Sequence, residues 1–429
     1  MFVRGPVFLP GDKSIAHRAL VLSALSKGRT LISNFPASKD CLATLGVFRK
    51  LGIKININKD KVEVLGQGLY GLKKSASPIF VGDSGTTLRL LLGVLAGQDF
   101  ESKLIAGRSL SKRPMRRVTE PLRKMGATVV SSLRSTVYGQ EEYSPIIITG
   151  GSLKGISYKM PVASAQVKSA ILLAGLFTRE TTKVIEPIST RDHTERVLKL
   201  FKANITVNKK EIKIKGGKEL VSPGKVYIPG DISSASFFIV AAAILPGSLV
   251  TIKNVSLNPS RIGIVRVLKR MGANIKTTDH RPQTTDFELI GDLVVKASVL
   301  KGIVVKKEEV PSLIDELPIL MVAACFAKGR TIFKGVGELR VKETDRIKSM
   351  TENLTKMGAK INVSGDDITI FGTGSLHGAK VKSFDDHRTA MSMLIAGLVA
   401  KGKVSVDNVS CIDKSFPDFV KMLNMLKKA

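Results

Sequence analysis

Long apolar stretches recur along the chain, and each ends in a turn that leads into a short strand-like run. Their turns are about 70 to 80 residues apart. Apolar residues without strict alternation, over this length, are typical of helices packed inward on most of their surface. The sequence therefore predicts six buried helices, which end within residues 20–28, 90–97, 170–178, 237–247, 319–329 and 394–402.

A second element lies between these stretches: a basic helix end, then a turn, then alternating apolar and polar residues. Examples are Leu122-Arg-Lys-Met-Gly-Ala-Thr-Val129 and Leu268-Lys-Arg-Met-Gly-Ala-Asn-Ile275, and related runs begin at residues 48, 198 and 354. Glycine commonly ends a helix, and alternation indicates a half-buried strand. The sixth copy is predicted to be a terminal helix over residues 419–428.

Six copies of such a large repeat are too few for an open solenoid without capping repeats. Two closed groups of three, in an α/β fold, fit the pattern better. The segment Ile228-Pro-Gly-Asp231 separates the third copy from the fourth and is the best candidate for a crossover between the groups.

Composition is that of an ordinary globular protein, with 43% hydrophobic and 24% charged residues. The apolar runs stop short of the roughly 18 residues of a membrane span, and the first residues lack the features of a signal peptide. We therefore predict a cytoplasmic protein. Cys41, Cys325 and Cys411 are far apart, so they predict buried thiols and neither a disulfide framework nor a zinc site.

The formal net charge of +31 has two explanations. A nucleic-acid binder is expected to concentrate basic residues on one face and to add aromatic residues for stacking. Here lysine is spread over the whole chain, aromatic residues make up 5% and tryptophan is absent. The pattern favours a solvated basic surface, with non-specific adhesion to polyanions as its consequence.

Hydroxyl, acidic and basic residues precede the apolar helices. Serine and aspartate at these places are explained by helix capping, but the basic residues Lys13, Arg18, Arg89 and Arg388 are not. Free backbone N–H groups and a partial positive charge already make a helix start attractive to anions. Several such starts together predict a site for a multiply anionic substrate.

Further cations follow the short strands, at Arg108, Lys112, Arg113, Arg191, Lys414 and in Arg340-Val-Lys-Glu-Thr-Asp-Arg346. The last segment carries too much charge for a core, so we expect it at a site rather than in the interior. Asp315 and Glu343 lie within such segments and are candidates for proton transfer. No Ser-His-Asp arrangement, Walker A motif or Rossmann fingerprint is present, so no nucleotide or metal is expected.

Together these segments resemble the 5-enolpyruvylshikimate-3-phosphate synthase family. The resemblance rests on Pro10-Gly-Asp-Lys-Ser-Ile-Ala-His-Arg18, Asp83-Ser-Gly-Thr-Thr-Leu-Arg89, Ser164-Ala-Gln166, Arg191-Asp-His-Thr-Glu195, Arg340-Val-Lys-Glu-Thr-Asp-Arg346 and Asp385-Asp-His-Arg388. These motifs run in the family's order up to Lys414. The third and fourth are similar to the second of its two sequence classes.

The resemblance implies an α/β (α+β) fold of two domains, each of three βαβαββ units, that close on substrate. The first domain would be residues 12–229, and the second residues 1–11 plus 230–429, with hinges near 11–13 and 229–232. It implies transfer of the enolpyruvyl group of phosphoenolpyruvate to the 5-hydroxyl of shikimate 3-phosphate, with release of phosphate, by addition and elimination. The enzyme would act without cofactor, as a monomer, and we expect no specific nucleic-acid partner and no membrane partner.

Site residues carried over by position fall into three groups. Asp315 would accept the 5-hydroxyl proton, Glu343 would protonate the enol methylene, and Lys13 would assist. Shikimate 3-phosphate would be held by Lys13, Ser14, Arg18, Ser164, Ala165, Gln166, Arg191, Asp315 and Lys342. Phosphoenolpyruvate would be held by Lys13, Gly85, Arg89, Arg113, Gln166, Arg346, Arg388 and Lys414.

Two positions bear on how closely the chain follows the family. Asp83 replaces the usual asparagine, and an added carboxylate there could weaken phosphoenolpyruvate binding. The response to glyphosate stays open: Gly85 leaves room for this inhibitor, whereas the alanine found in the second class excludes it.

Two alternatives stand beside this hypothesis. UDP-N-acetylglucosamine enolpyruvyl transferase shares fold and donor, but is expected to have Lys-Asn where Lys13-Ser14 stands and a cysteine within residues 107–114, where none occurs. A non-catalytic polyanion-binding protein would explain the net charge, but it leaves Asp315, Lys342 and Glu343 unexplained.

Overall fold

The computed structural model describes residues 1–136, 139–280 and 287–428. Within these ranges the α-helices are α1 (Lys13–Leu25), α2 (Lys39–Lys50), α3 (Gly85–Leu95), α4 (Arg116–Lys124), α5 (Ala165–Ala174), α6 (His193–Leu200), α7 (Ile232–Ile244), α8 (Gly263–Arg270), α9 (Leu317–Cys325), α10 (Arg346–Lys356), α11 (His387–Val399) and α12 (Phe419–Leu426). None of these helices combines the length and apolar character needed to cross a membrane.

The strands are short and lie between the helices. They are β1 (Phe2–Phe8), β2 (Ser26–Ser33), β3 (Lys54–Asn58), β4 (Lys61–Gln67), β5 (Ile79–Phe80), β6 (Glu101–Ile105), β7 (Thr128–Thr136), β8 (Gly139–Thr149), β9 (Ser157–Lys159), β10 (Thr181–Ile185), β11 (Asn204–Asn208), β12 (Glu211–Lys215), β13 (Leu220–Val221), β14 (Lys225–Tyr227), β15 (Leu249–Ser256), β16 (Asn274–His280), β17 (Ile290–Lys296), β18 (Val304–Val305), β19 (Arg330–Phe333), β20 (Lys360–Ser364), β21 (Asp367–Phe371), β22 (Lys380–Val381), β23 (Ser405–Val406) and β24 (Lys427–Lys428).

The predicted repeat is confirmed as a βαβαββ unit. In one copy β9 leads through α5 to the parallel strand β10, and α6 then leads to the hairpin β11–β12, giving the sheet order β11-β12-β10-β9. The sheets β5-β6-β8-β7 and β18-β19-β21-β20 repeat this order. The last copy is shorter, with the parallel pair β22 and β23 followed by α12.

The chain forms two compact units, each with its own hydrophobic core. One contains Lys13–Ile228 and Phe287, and we call it the N-terminal unit. The other contains Met1–Asp12 and the remaining described residues from Pro229 on, and we call it the C-terminal unit. Each takes one strand from a distant part of the chain: β14 pairs in parallel with β2 in the N-terminal unit, and β1 with β15 in the C-terminal unit.

Two kinds of helix explain the alternation seen in the sequence. Every residue of α7 from Ile232 to Ala243 is buried, because the helix is apolar on all sides and packs inside its unit. In α8, by contrast, Ile264, Val267 and Leu268 are buried while the basic side chains lie on the exposed face. The six predicted buried helices are confirmed as α1, α3, α5, α7, α9 and α11.

Two expectations are corrected. The terminal helix ends at Leu426 rather than at residue 428, because Lys427 and Lys428 become extended and pair with Phe2 and Val3 at the edge of β1. The segment 340–346 is not wholly outside the interior, because the Arg346 side chain is 1% exposed. The three cysteines are free and buried, as predicted.

We predict that an aromatic cluster stabilises the C-terminal unit. The Phe238 ring centroid lies 6.1 Å from that of Phe416 and 5.6 Å from that of Phe419. Phe238→Ala should cost about 3–5 kcal/mol of unfolding free energy, because it leaves a cavity in a packed core. Phe8→Ala is the control, since Phe8 is 65% exposed, and should cost less than about 1 kcal/mol. Equal shifts of the urea midpoint in both variants would contradict this packing.

Candidate active site

One buried arginine organises the charged groups of the C-terminal unit. Arg346 Nε donates to Asp386 Oδ2 at 2.8 Å, and Nη2 donates to Glu343 Oε2 at 2.6 Å. Nη1 lies 3.4 Å from Asp315 Oδ1. The structure therefore brings Asp315 and Glu343, the two predicted proton-transfer groups, onto one guanidinium.

Asp386 is fully buried and serves two groups. It caps α11 by accepting from the backbone N–H groups of Arg388 and Thr389, at 2.7 and 3.2 Å, and it pairs with Arg346. Arg388 in turn donates to the backbone oxygen of Asp315 at 2.9 Å. The start of α11 thus fixes three of the predicted residues relative to one another.

These carboxylates keep Arg346 charged. Burial alone would lower the pKa of the guanidinium, but Asp386, Glu343 and Asp315 outweigh it and raise the pKa above its usual value. Lys414 adds a cation near the start of α11, because its Nζ donates to the backbone oxygen of Asp385 at 3.0 Å.

The N-terminal unit holds a second set of predicted residues around the start of α3. Arg89 Nη1 donates to Gln166 Oε1 at 2.6 Å, and Gln166 Nε2 donates to Thr86 Oγ1 at 2.9 Å. A Cβ added to Gly85 would lie 2.8 Å from Nη1 of Arg89 and 2.8 Å from Nη1 of Arg113. The starts of α3 and α5 are therefore connected through Arg89 and Gln166. Because Gly85 has no side chain, the guanidinium groups of Arg89 and Arg113 can both lie close to its backbone.

Asp83 has a structural role that the sequence did not indicate. Its Oδ1 accepts from the backbone N–H groups of Ser109 and Leu110, at 2.8 and 3.0 Å. It therefore holds the loop that leads to Arg113. The side-chain oxygen of an asparagine could accept the same hydrogen bonds. The contact with this loop is therefore possible with either aspartate or asparagine at position 83.

Lys13 and Arg18 are placed by side chains from other elements. Lys13 Nζ pairs with Asp40 Oδ2, in the first turn of α2, at 2.7 Å. Arg18 is 4% exposed and donates to Thr194 Oγ1 at 2.5 Å, Ser169 Oγ at 2.8 Å and the backbone oxygen of Ser14 at 2.9 Å.

The other predicted residues lie at element ends. Ser164 caps α5 by accepting from the backbone N–H of Val167 at 3.4 Å, and Ala165 begins that helix. Arg191 and Lys342 are partly exposed, in the loop before α6 and at the end of the 3-10 helix Gly337–Val341.

A buried ion triad supports the N-terminal set and was missed by the sequence analysis. Lys168 Nζ lies 2.6 Å from Glu195 Oε1 and 3.1 Å from Glu186 Oε2, and all three side chains are almost fully buried. Glu186 also accepts from the backbone N–H of Thr190 at 3.1 Å. The triad thus ties α5 to the loop and helix that carry Arg191 and Thr194.

Nothing local in the sequence marks these partners. Asp40 and Glu186 are acidic residues at ordinary positions for a cap or a surface pair, and Asp386 stands in the motif Asp385-Asp-His-Arg388, which does not show that it pairs with Arg346. The only signal was indirect: a basic residue next to an apolar helix needs a counter-charge if it is buried.

We predict that Lys168→Met destabilises the N-terminal unit. It leaves two carboxylates buried without their cation, which should cost about 3–5 kcal/mol near neutral pH. Burial raises the pKa of Glu195, so the loss should shrink as pH falls and the carboxyl becomes neutral.

Lys124→Met is the matched control, because Lys124 pairs with Glu120 on the exposed face of α4 and should contribute less than about 1 kcal/mol. Thermal midpoints between pH 5 and pH 8 measure both variants. A loss for Lys168→Met that is no larger than the control's would refute the role of the triad.

Comparison with known proteins identifies the family of the chain. The family model described as EPSP synthase (3-phosphoshikimate 1-carboxyvinyltransferase) matches residues 2–423. Proteins named 3-phosphoshikimate 1-carboxyvinyltransferase are 46% identical over 425 residues in Thermoanaerobacter sp. (strain X514), covering 99% of this chain and 98% of the relative, and 48% identical over 423 residues in Shouchella clausii (strain KSM-K16), covering 99% and 96%.

Solved structures agree. An EPSP synthase from Acinetobacter baumannii has a TM-score of 0.86 at 41% identity, covering 99% of this chain and 96% of its own. The enolpyruvyl transferase NikO from Streptomyces tendae has a TM-score of 0.78 at 18% identity, a likeness of fold alone. With its motifs, its repeated βαβαββ units and these relatives, the chain belongs to the EPSP synthase family.

Proposed function

We propose that the chain transfers the 1-carboxyvinyl group of phosphoenolpyruvate to the 5-hydroxyl of shikimate 3-phosphate and releases phosphate. The observation that carries the proposal is the pairing of both Asp315 and Glu343 with the buried Arg346, at 3.4 and 2.6 Å. Two carboxylates on one cation suit a reaction that moves one proton from an oxygen and another to a carbon. The names of the relatives support the same activity.

The reaction divides into addition and elimination. In addition, Glu343 starts in its protonated form and Asp315 as a carboxylate. Asp315 accepts the proton of the 5-hydroxyl, the new C–O bond forms, and Glu343 gives its proton to the methylene carbon, which yields a tetrahedral intermediate. In elimination, Glu343 takes back a proton from the methyl group, the C=C bond re-forms, and the C–O bond to phosphate breaks. Asp315 gives the proton that it took from the 5-hydroxyl to the leaving phosphate, so both carboxyl groups return to their starting state.

Both substrates are anions, so their binding needs cations and free N–H groups. We assign phosphoenolpyruvate to Lys13, Gly85, Arg89, Arg113, Gln166, Arg346, Arg388 and Lys414. We assign shikimate 3-phosphate to Lys13, Ser14, Arg18, Ser164, Ala165, Gln166, Arg191, Asp315 and Lys342. Support comes from the positions of Gly85, Gln166 and Arg388 in the first turns of α3, α5 and α11.

Three broader expectations stay predictions. The first is that domains of residues 12–229 and 1–11 plus 230–429 are joined by hinges near 11–13 and 229–232, which the change of compact unit at 12/13 and 228/229 supports. The others are a monomeric state and a cytoplasmic location. Light scattering of the purified chain tests the monomer.

The test of the proposed function is phosphate release from phosphoenolpyruvate, with and without shikimate 3-phosphate. Wild-type release should require this acceptor, and Glu343→Gln should lower the rate by about 10²–10⁴-fold, the range that general acid–base groups contribute. Glu352→Gln is the control, because Glu352 pairs with Lys356 on the surface of α10, and its rate should equal that of the wild type.

The alternatives give different results. Release that depends on UDP-N-acetylglucosamine, or on neither acceptor, would refute the assignment. A polyanion-binding protein would show no turnover and a steep loss of nucleic-acid binding with salt.

We further predict that Gly85→Ala weakens phosphoenolpyruvate binding. The new methyl group must displace the guanidinium groups of Arg89 and Arg113, each 2.8 Å from it. KM for phosphoenolpyruvate should rise about ten-fold, equivalent to about 1.4 kcal/mol, with a small change for shikimate 3-phosphate. Gly46→Ala is the control, since nothing lies within 4 Å of its added Cβ. An unchanged KM in Gly85→Ala would remove these arginines from the binding assignment.

A further inference from the structure

A second buried arginine lies in the C-terminal unit and takes no part in the mechanism above. The Arg261 side chain is 2% exposed, and its guanidinium lies 3.6 Å from Glu316, 3.7 Å from Asp231 and 3.9 Å from Asp12. Its Nη2 donates to Ser233 Oγ at 2.6 Å, and Ser233 Oγ in turn donates to Glu316. One cation therefore faces three buried carboxylates.

The three carboxylates stand at informative places in the chain. Asp12 ends the first segment of the C-terminal unit and directly precedes Lys13. Glu316 is the N-cap residue that directly precedes α9, and it directly follows Asp315. Asp231 caps α7, just after the chain returns to this unit at Pro229. Arg261 is thus bound to the neighbours of two residues assigned to the reaction.

Backbone contacts make these segments a single assembly. Asp12 N–H donates to the backbone oxygen of Pro229 at 2.7 Å, and Asp231 N–H to that of Pro10 at 3.1 Å. Two residues after Arg261, Gly263 packs so closely on Ser312 and Leu313 that an added Cβ would overlap the Ser312 side chain. The segment that carries Arg261 therefore lies directly against the one that leads to Asp315.

Stability is a weak explanation for this arrangement. Buried ion networks are often replaceable by apolar residues without loss of stability, because desolvation offsets the attraction. Here the ion pairs of 3.6 to 3.9 Å are longer than charge-assisted hydrogen bonds of about 2.7–2.9 Å. Burial and the charge of Asp12 also raise the pKa of Asp231 to about 6, against the opposing charges of Arg261 and Arg388. A carboxyl group whose pKa is perturbed in this way is typical of a functional site.

We propose that Arg261 is a positioning residue for the transfer reaction. Through Glu316 it fixes the backbone and side chain of Asp315, and through Asp12 it fixes the segment that leads to Lys13. The inference rests on the proposed function, in which Asp315 and Lys13 act on the substrates. Arg261 itself does not touch them.

The test is a double-mutant cycle with Asp315, measured as single-turnover phosphate release so that slow variants remain measurable. Arg261→Lys keeps the charge but loses the planar fork, and it should slow turnover by between about ten-fold and a hundred-fold, the effect expected of misplaced reacting groups. In the Asp315→Asn background the same change should cost less than about two-fold, because the group that it positions no longer functions.

A merely structural role predicts a different result. If Arg261→Lys only lowered the amount of folded protein, it would slow turnover by the same factor in both backgrounds, and the proposal would be overturned. Glu316→Gln is the second variant, in case the arginine change prevents folding, because it preserves shape and removes one charge. It should likewise slow turnover in the wild-type background and cost less than about two-fold in the Asp315→Asn background. Thermal midpoints report folding for each variant.

The control is Arg266→Lys, since Arg266 lies on the exposed face of α8, and its turnover should equal that of the wild type. The outcomes separate the two proposals. If the wild type releases no phosphate in response to shikimate 3-phosphate, the proposed function fails. If the wild type is active and Arg261→Lys turns over at the wild-type rate, only the positioning role fails.

Discussion

The charge on Arg346 is the constraint on which the candidate site depends. A buried guanidinium needs carboxylates, and this one is contacted by Asp386, Glu343 and Asp315, at 2.8, 2.6 and 3.4 Å. Removing any partner would leave charge buried without compensation. The same contacts that keep Arg346 in the interior therefore set the positions of the two groups assigned to proton transfer.

The fold supplies these contacts through its buried helices. Because α11 is mostly apolar from Ala390 on, it packs inside the C-terminal unit, and its polar start is buried with it. Asp386 caps that start and reaches Arg346 at the beginning of α10. In the N-terminal unit the starts of α3 and α5 play the same part, with Arg89 and Gln166 in contact. The repeat thus brings polar helix starts together as a consequence of packing apolar helices.

The pattern of apolar residues was sufficient to predict the six buried helices, because a helix that is apolar on all sides is stable only when it packs inside a unit. The motifs, through the family resemblance, supplied the site assignments, which stay predictions; the structure brings Asp315 and Glu343 to Arg346, and Arg89 to Gln166. Long-range pairing was not predictable: nothing local shows that Arg346 would be buried by Asp386, that β14 would complete the sheet of β2, or that Lys427 and Lys428 would pair with β1. Each depends on the free energy of the packed unit rather than on neighbours in the chain.

The proposed reaction passes through a methyl group, which forms when Glu343 gives a proton to the enol methylene and is lost when Glu343 removes one. The most direct test is to run the reaction in D₂O and examine the product's vinyl hydrogens by NMR. Glu343 is 21% exposed in its side chain, so its proton exchanges with solvent. Addition and elimination through a methyl group predict deuterium in the vinyl position of the product. Product formed with all of its original vinyl hydrogens would contradict this mechanism.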